Sequence, residues 1–450
     1  MKLSQYIAKN IYTQEEIWRG AFNTSEDLIK KTEDLENRRK QFISLTLYER
    51  MNLINSIAEE LKRQKKLYSK MICEEVGRCL RECEAEVEKT INLVDYYTNI
   101  AQQMLLPKDV DTQASLSQVC YEPLGLILAV MPWNYPIWQI LRFAIPALCA
   151  GNACLIKPAP SVGRITEFFF TQILPELPID YIFLKDDDIE LAIERSQGLA
   201  FTGSVKTGRL LASIAGQHLK KTVLELGGSN AFIVFGDANL KQAAKDACYS
   251  RFRDAGQSCN ATKRVIVEDS CVELFTGYLI EETKKIMLGN PMLESSHMGP
   301  LHLDHASYNM QIYVDDALKK GAHCFLGGYI PDNPIFYPPT ILGNVAQNSL
   351  VVTDEVFGPV LPILTVGNKD EAIEVANNTR FGLGASIYSQ DIPLAQYYAK
   401  FLEVGSVYIN RHTSSDLRMP FGGIKDSGYG RELSEFGLIE FVNIKSYWQR

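Results

Sequence analysis

The 450-residue chain contains no apolar run near the ~20 residues that a membrane-spanning helix requires. The longest, Leu124 to Trp133, is interrupted by Pro132 and ends at Asn134. Its first residues, Met1-Lys2-Leu3-Ser4-Gln5-Tyr6, lack the apolar stretch and small-residue cleavage site of a secretory leader. Basic charge is not in excess either. With 46 Lys+Arg against 54 Asp+Glu the formal charge is −8, whereas a nucleic-acid binder shows a basic stripe. Neither a membrane nor a nucleic acid is therefore an expected partner. A small anionic substrate stays open, because one pair of arginines makes a local anion site. The ten cysteines form no compact framework; scattered from Cys73 to Cys324, they read as reduced thiols of a cytoplasmic protein. Cys79 and Cys83 lie four apart, but no second pair completes a zinc site. His302 and His305, flanking Asp304, read as a solvated helix face, so no metal is expected. There is no internal repeat, no low-complexity segment and no GxGxxG fingerprint.

What is present is ordinary globular composition, 46% hydrophobic and 22% charged, over a length that calls for two or three structural units. The first third reads as helical. Met51, Ile54, Ile57, Ala58 and Leu61 recur at three- and four-residue steps, and a second amphipathic stretch runs from Glu86 to Leu106. Ser115 to Tyr121 reads as a strand. Short apolar runs then alternate with helical stretches: 124–130, 153–156, 181–184, 199–202 and 231–235. The alternation restarts at 264–267, 360–366, 385–388 and 407–410. Continuous apolar strands between helices suit parallel sheets covered on both faces, so two α/β units are expected, divided near Gly227-Gly228. Phe441 to Arg450 reads as a final strand with no local partner, suited to joining a sheet elsewhere, another subunit included.

Several segments could carry chemistry. Cys259, in Gly256-Gln257-Ser258-Cys259-Asn260, follows a glycine turn between a helix and a strand, where a reactive thiol could be presented; a lone cysteine is more often a small buried hydrophobe. Glu225 ends an apolar strand before two glycines, and apolar neighbours would raise its pKa toward that of a useful base. A capping or ion-paired glutamate is the competing explanation. Asn134, in Pro132-Trp133-Asn134, could donate to a developing oxyanion, or simply sit in a proline-rich turn. Lys157 stands at a strand's carboxyl end, where open α/β sheets bind ligands. Phe201-Thr202-Gly203-Ser204 opens a helix whose amides suit a pyrophosphate.

In this order, these segments closely resemble the aldehyde dehydrogenase superfamily, from about residue 40 to the C-terminus. Pro132-Trp133-Asn134, Lys157-Pro158, Phe201-Thr202-Gly203-Ser204, Leu224-Glu225-Leu226-Gly227-Gly228, Gly256-Gln257-Ser258-Cys259, Glu355-Val356-Phe357-Gly358-Pro359 and Pro420-Phe421-Gly422-Gly423 carry the likeness. The resemblance implies an α/β fold: a Rossmann-type dinucleotide-binding domain over 1–113 and 129–226, a second α/β catalytic domain over 227–435, and a β oligomerisation ribbon from 114–128 and 436–450. It implies Cys259 as nucleophile, Asn134 in the oxyanion site, and Glu225 as the base that hydrolyses the thioester. The CoA-acylating branch typically lacks that glutamate. The cofactor, NAD or NADP, would be met by Trp133, Lys157, Pro160, Gly203, Ser204, Leu226, Glu355 and Phe357. Pro160 stands where NAD-preferring relatives often carry an acid, so neither nucleotide is excluded. The segment 161–200 is shorter than in most relatives, as if one helix–strand unit were trimmed. A homodimer or homotetramer is expected.

The stretch from Asn134 to Phe143 looks like the short bacterial succinate-semialdehyde dehydrogenases. Arg142, eight residues after Asn134, and Arg253, six before Cys259, fall near the offsets of the arginines that bind the substrate's far carboxylate there. The opposing explanation has Arg142 snorkelling to the surface and Arg253 in a local ion pair. A serine contact expected before Pro420 has two candidates, Ser414 and Ser415, with Arg418 as an extra charge. A neutral or cationic aldehyde, such as lactaldehyde or an amino-aldehyde, is the rival substrate. A catalytically silent binding member and a cofactor-free cysteine hydrolase are the rival functions.

Overall fold

The computed structural model describes residues 5–450. The chain builds two largely parallel sheets. The first has six strands in the order Gly428–Tyr429, Lys221–Glu225, Gly198–Thr202, Leu126–Val130, Ala153–Lys157, Ile179–Tyr181. All are parallel except Gly428–Tyr429, which runs antiparallel beside Leu224 and Glu225. Four of the strands are rich in fully buried apolar side chains, as two-sided burial demands. Register aligns their carboxyl ends: Val130 lies opposite both Lys157 and Phe201, and Thr202 opposite Glu225. Leu126–Val130 sits where the strand order reverses, so the crevice that binds ligands in open α/β sheets opens above it.

The second sheet has seven strands in the order His323–Leu326, Thr340–Gly343, Val360–Val366, Arg264–Glu268, Ala231–Val234, Gly384–Tyr388, Ser406–Ile409. Only the edge strand His323–Leu326 is antiparallel. A three-stranded antiparallel ribbon joins Lys108–Asp109, Leu116–Pro123 and Val442–Gln449. The terminal strand thus finds its partner within its own chain. Its outer residues Ile444, Tyr447 and Trp448 are exposed.

Four helices, Ser25–Ser44, Leu47–Arg63, Lys65–Val76 and Leu80–Met104, pack over the first sheet. Thr24 with Asp27 and Thr46 with Glu49 form capping boxes that start the first two. The stripe Met51, Ile54, Ile57, Ala58 and Leu61 is buried as its spacing requires.

Several expectations need correction. Residues 6–20 are not helical: Tyr6–Lys9 and Glu16–Gly20 form a hairpin. Trp18 lies so close over Gly163 that a side chain there would collide with the indole, and its Nε1 donates to Glu167 at 2.8 Å. The strand expected at 181–184 is Ile179–Tyr181. Beyond it Phe183 exchanges backbone and side-chain bonds with Asn23, so the apolar run is buried under the hairpin instead of in the sheet. Residues 126–128 belong to the central parallel strand rather than to the ribbon, and 428–429 return to the first sheet beside Glu225. The short segment 161–200 still supplies a helix, a three-residue edge strand and a short helix, Ile189–Glu194. Among the described residues no helix is long and apolar enough to cross a membrane.

Candidate active site

Cys259 follows the helix Leu240–Phe252 and a tight turn. Three successive residues of that turn have positive φ: Asp254 (52°), Ala255 (54°) and Gly256 (72°). Two of them carry side chains, a strained arrangement that persists only when its surroundings hold it. Asp254 is held on three sides. Arg78 Nε donates to it at 2.6 Å, the Tyr135 hydroxyl bonds it, and its backbone N–H donates to Glu82 at 2.9 Å. Gly256 cannot be replaced, because a Cβ there would strike the Gly358 carbonyl. The same Arg78 pairs with Glu86, donates to the Asn134 carbonyl at 3.2 Å and lies 3.9 Å over the Tyr135 ring. Asn134 Nδ2 donates one hydrogen to the Gln257 carbonyl at 3.1 Å, which leaves its second.

Glu225 is 3% exposed, and its Oε1 has no hydrogen-bond partner among the described residues. Burial and the neighbouring Glu432 raise its pKa well above the carboxylate range, against the pull of Arg142 and Arg431. The glycines around it have a steric purpose. A Cβ on Gly422 would come within 2.8 Å of Glu225 Oε1, one on Gly228 within 2.9 Å of the Cys259 carbonyl, and one on Gly227 would strike Glu355. Gly422 and Gly423 are therefore close-approach positions and not a nucleotide loop. Burial pushes the Cys259 thiol up to about 11, with Glu355 and Glu225 adding to the rise and Arg142 and Lys263 opposing it.

On the other flank, Lys157 ends its strand 3.9 Å from Asp186, an exposed acid beyond the lysine's own loop. Ser204 caps the helix Val205–Gln217, accepting from the Thr207 N–H. Ser204, Lys206, Arg209, Glu355 and Arg380 line one cavity of about 410 Å³. Trp133 packs edge-on to Phe357 at 5.8 Å and stacks flat on His302 at 4.0 Å. His302 is buried rather than solvated. It shares a 2.7 Å hydrogen bond with Ser161, next to Pro160, and burial lowers its pKa to about 4. Arg251 and Lys263 clamp the Val356 carbonyl at 3.1 and 2.9 Å, fixing the turn that bears Glu355 and Phe357.

Arg142, Arg253 and Cys259 line a single cavity of about 140 Å³, with Lys89, Trp138 and Ser415. Asn134 and Glu225 are not among its lining residues. Arg142 does not snorkel: it is 3% exposed and ion-paired to Glu432 at 2.5 Å. Arg253 lies 3.8 Å from Asp254, the local pair weighed above, yet still faces the cavity. Ser415, rather than Ser414, lines the cavity beside these cations. Arg418 is exposed and paired with Asp416.

The family model for the aldehyde dehydrogenase family matches residues 3–447. The chain belongs to that family. It is 40% identical to a probable NADP(+) succinate-semialdehyde dehydrogenase of Synechocystis sp., over 91% of this chain and 92% of that one. It is 37% identical to an NAD(P)+ succinate semialdehyde dehydrogenase of Escherichia coli K12, over 89% and 88%. The solved succinic semialdehyde dehydrogenase of Streptococcus pyogenes, in complex with NADP+, superposes with a TM-score of 0.95 at 33% identity, covering 98% and 99%.

Reading the sequence missed the charges that support this aldehyde dehydrogenase site: Arg78, Glu82, Glu86, Lys89, Asp254, Lys263 and Glu432. One signal was available. Glu86 lies within the buried stripe of its helix, where a purely structural helix would carry an apolar residue, and Glu82 and Lys89 flank it. Two outcomes follow from the geometry. Arg78→Met leaves Glu86 without its cation and Asp254 with only the more distant Arg253, and lowers unfolding free energy by about 3–5 kcal/mol, read by urea titration. Carboxamidomethylation of Cys259 by iodoacetamide accelerates about tenfold per pH unit between pH 7 and 10, because only the thiolate reacts and the thiol stays protonated until about 11; Cys259→Ala removes that phase in peptide mapping.

Proposed function

We propose that the protein oxidises succinate semialdehyde to succinate with NAD or NADP. The observation that carries this reading is that Arg142 and Arg253 line the same small cavity as Cys259. An aldehyde held at the thiol would set a carboxylate at its other end against guanidinium forks. The volume suits a short aldehyde, well below the roughly 300–1,000 Å³ of drug-sized pockets. The names of the Synechocystis, E. coli and S. pyogenes relatives point the same way. A cationic amino-aldehyde would meet like charge in this cavity, and a neutral lactaldehyde would leave the cations unanswered.

In the proposed reaction the Cys259 thiolate adds to the aldehyde carbon, and the oxyanion is met by the remaining Asn134 amide hydrogen and the Cys259 backbone N–H. Bound NAD or NADP would supply the hydride acceptor through which the Cys259 thiohemiacetal is oxidised to a thioester. Glu225 then takes a proton from water, which attacks the thioester and releases succinate and the free thiol. A carboxylate with a raised pKa suits that base. The residues fit the cofactor. Ser204 and the amides after Gly203 open a 13-residue helix and would hold the pyrophosphate. Lys157 and Glu355 would hold the two riboses. Trp133, Pro160, Leu226 and Phe357 would flank the nucleotide. The exposed outer strand Val442–Gln449 is suited to pairing between subunits of a homodimer or homotetramer.

The direct test follows reduced-nicotinamide absorbance with succinate semialdehyde and either nucleotide; no signal with any aldehyde would defeat the proposal. Cys259→Ala is expected to bind cofactor and to lose turnover. Glu225→Gln is expected to give one equivalent of reduced nicotinamide and then stall, slowing the steady state about 10²–10⁴-fold. Arg253→Ala raises KM for the semialdehyde about tenfold or more with little change in kcat, since Asp254 keeps Arg78. Arg142→Ala affects both constants, because it strands Glu432.

A further inference from the structure

Lys89, half-buried, belongs to the helix Leu80–Met104, whose buried residues serve packing or the Arg78 network. Its side chain lines the thiol cavity together with Arg142 and Arg253. The three cations there are not equivalent. Arg142 is matched by Glu432 at 2.5 Å and Arg253 by Asp254 at 3.8 Å. Lys89 has no carboxylate within 4 Å among the described residues. Its contacts are neutral: Nζ donates to the Ser415 hydroxyl oxygen and lies 4.1 Å from the Trp138 ring centroid. Glu86, one turn earlier on the same helix, is turned away toward Arg78 and the amides of Ile137 and Trp138. An ammonium set beside two guanidiniums without a close carboxylate of its own gives this cavity an electrostatic preference for an anionic ligand.

We propose that Lys89 is a specificity-determining residue of the thiol cavity, whose ammonium, with the Ser415 hydroxyl it holds, contacts the far carboxylate of an anionic aldehyde. This rests on the substrate reading above and extends it to a residue on a different helix. Because Ser415 accepts from Lys89, its own hydrogen remains for the same carboxylate. The groups facing Lys89 from its neighbours are Arg142, Arg253 and Cys259, with Glu86 on its own helix. Burial and the two guanidiniums lower its pKa to about 7, against Cys259 and Glu86. The ammonium is therefore poorly compensated until a carboxylate arrives, which gives a charged substrate an advantage that a neutral aldehyde of equal length lacks. A compact ammonium on a flexible stem also adjusts to a short chain more readily than a third rigid guanidinium would.

The test compares succinate semialdehyde with butanal, which has the same carbon count and no carboxylate, in wild-type enzyme and in Lys89→Met and Lys89→Gln. The expected result is at least a tenfold loss in kcat/KM for the semialdehyde, carried by KM and equal to about 1.4 kcal/mol, with butanal within twofold of wild type. Unchanged cofactor affinity certifies the fold; if the Met variant loses it, the Gln variant is judged by the same criteria. Parallel losses with both aldehydes would show a packing role and overturn the proposal. A wild-type preference for the semialdehyde that survives both substitutions overturns the role of Lys89 alone. A wild-type enzyme with no such preference overturns the substrate reading and this proposal together.

Discussion

Arg78 is the tie on which the rest of the site depends. One buried guanidinium reaches Glu86 on its helical layer, Asp254 in the thiol turn, the Asn134 carbonyl, and the face of Tyr135. Those four contacts come from three parts of the chain that no local interaction would bring together. The turn before Cys259 places two non-glycine residues in the left-handed region, a conformation the backbone would leave if Asp254 were free. Asp254 stays because its carboxylate is compensated: Arg78 and Arg253 hold its pKa down despite burial. The cost of desolvating the pair is offset by the number of hydrogen bonds that satisfy it.

Dehydration sets the tone of the chemistry around that tie. Burial raises Cys259, Glu225, Glu355 and Glu432 and lowers Lys89, Lys263 and His302, so these groups move toward their neutral forms while Asp254 is held ionised. A site of this kind holds its charges in reserve. Bases and nucleophiles gain strength when ionised there, and an arriving charged group restores ionisation to the partners it meets. The glycines at 227, 228, 256 and 422 allow this packing, because each admits a carbonyl or carboxylate where a Cβ would stand.

Much of this was legible from residues alone. Parallel strands declared themselves as continuous apolar runs, and Leu126–Val130, Ala153–Lys157, Val360–Val366 and Ser406–Ile409 lie within a residue or two of expectation. The ordered motifs around Asn134, Glu225, Cys259 and Glu355 pointed to one family. The hairpin 6–20 was not legible, since its alternation is broken and its stability comes from Trp18 against Gly163. His302 was misread because a histidine between Leu301 and Leu303 carries no local sign that an indole will stack on it. Ser415 could be separated from Ser414 only by the direction each side chain takes.

Apolar periodicity pointed to an α/β fold, and the resemblance of the ordered motifs to the aldehyde dehydrogenase superfamily named the candidate nucleophile, base and oxyanion donor, because both signals lie in short stretches of the chain. Pairing of charges was decided by the tertiary structure alone. Arg142 with Glu432 and Arg78 with Asp254 are separated by up to 290 positions in the chain, and Lys89 has no carboxylate within 4 Å among the described residues. Coulombic partners are chosen by distance in space and by the loss of water, and neither quantity is written along the sequence.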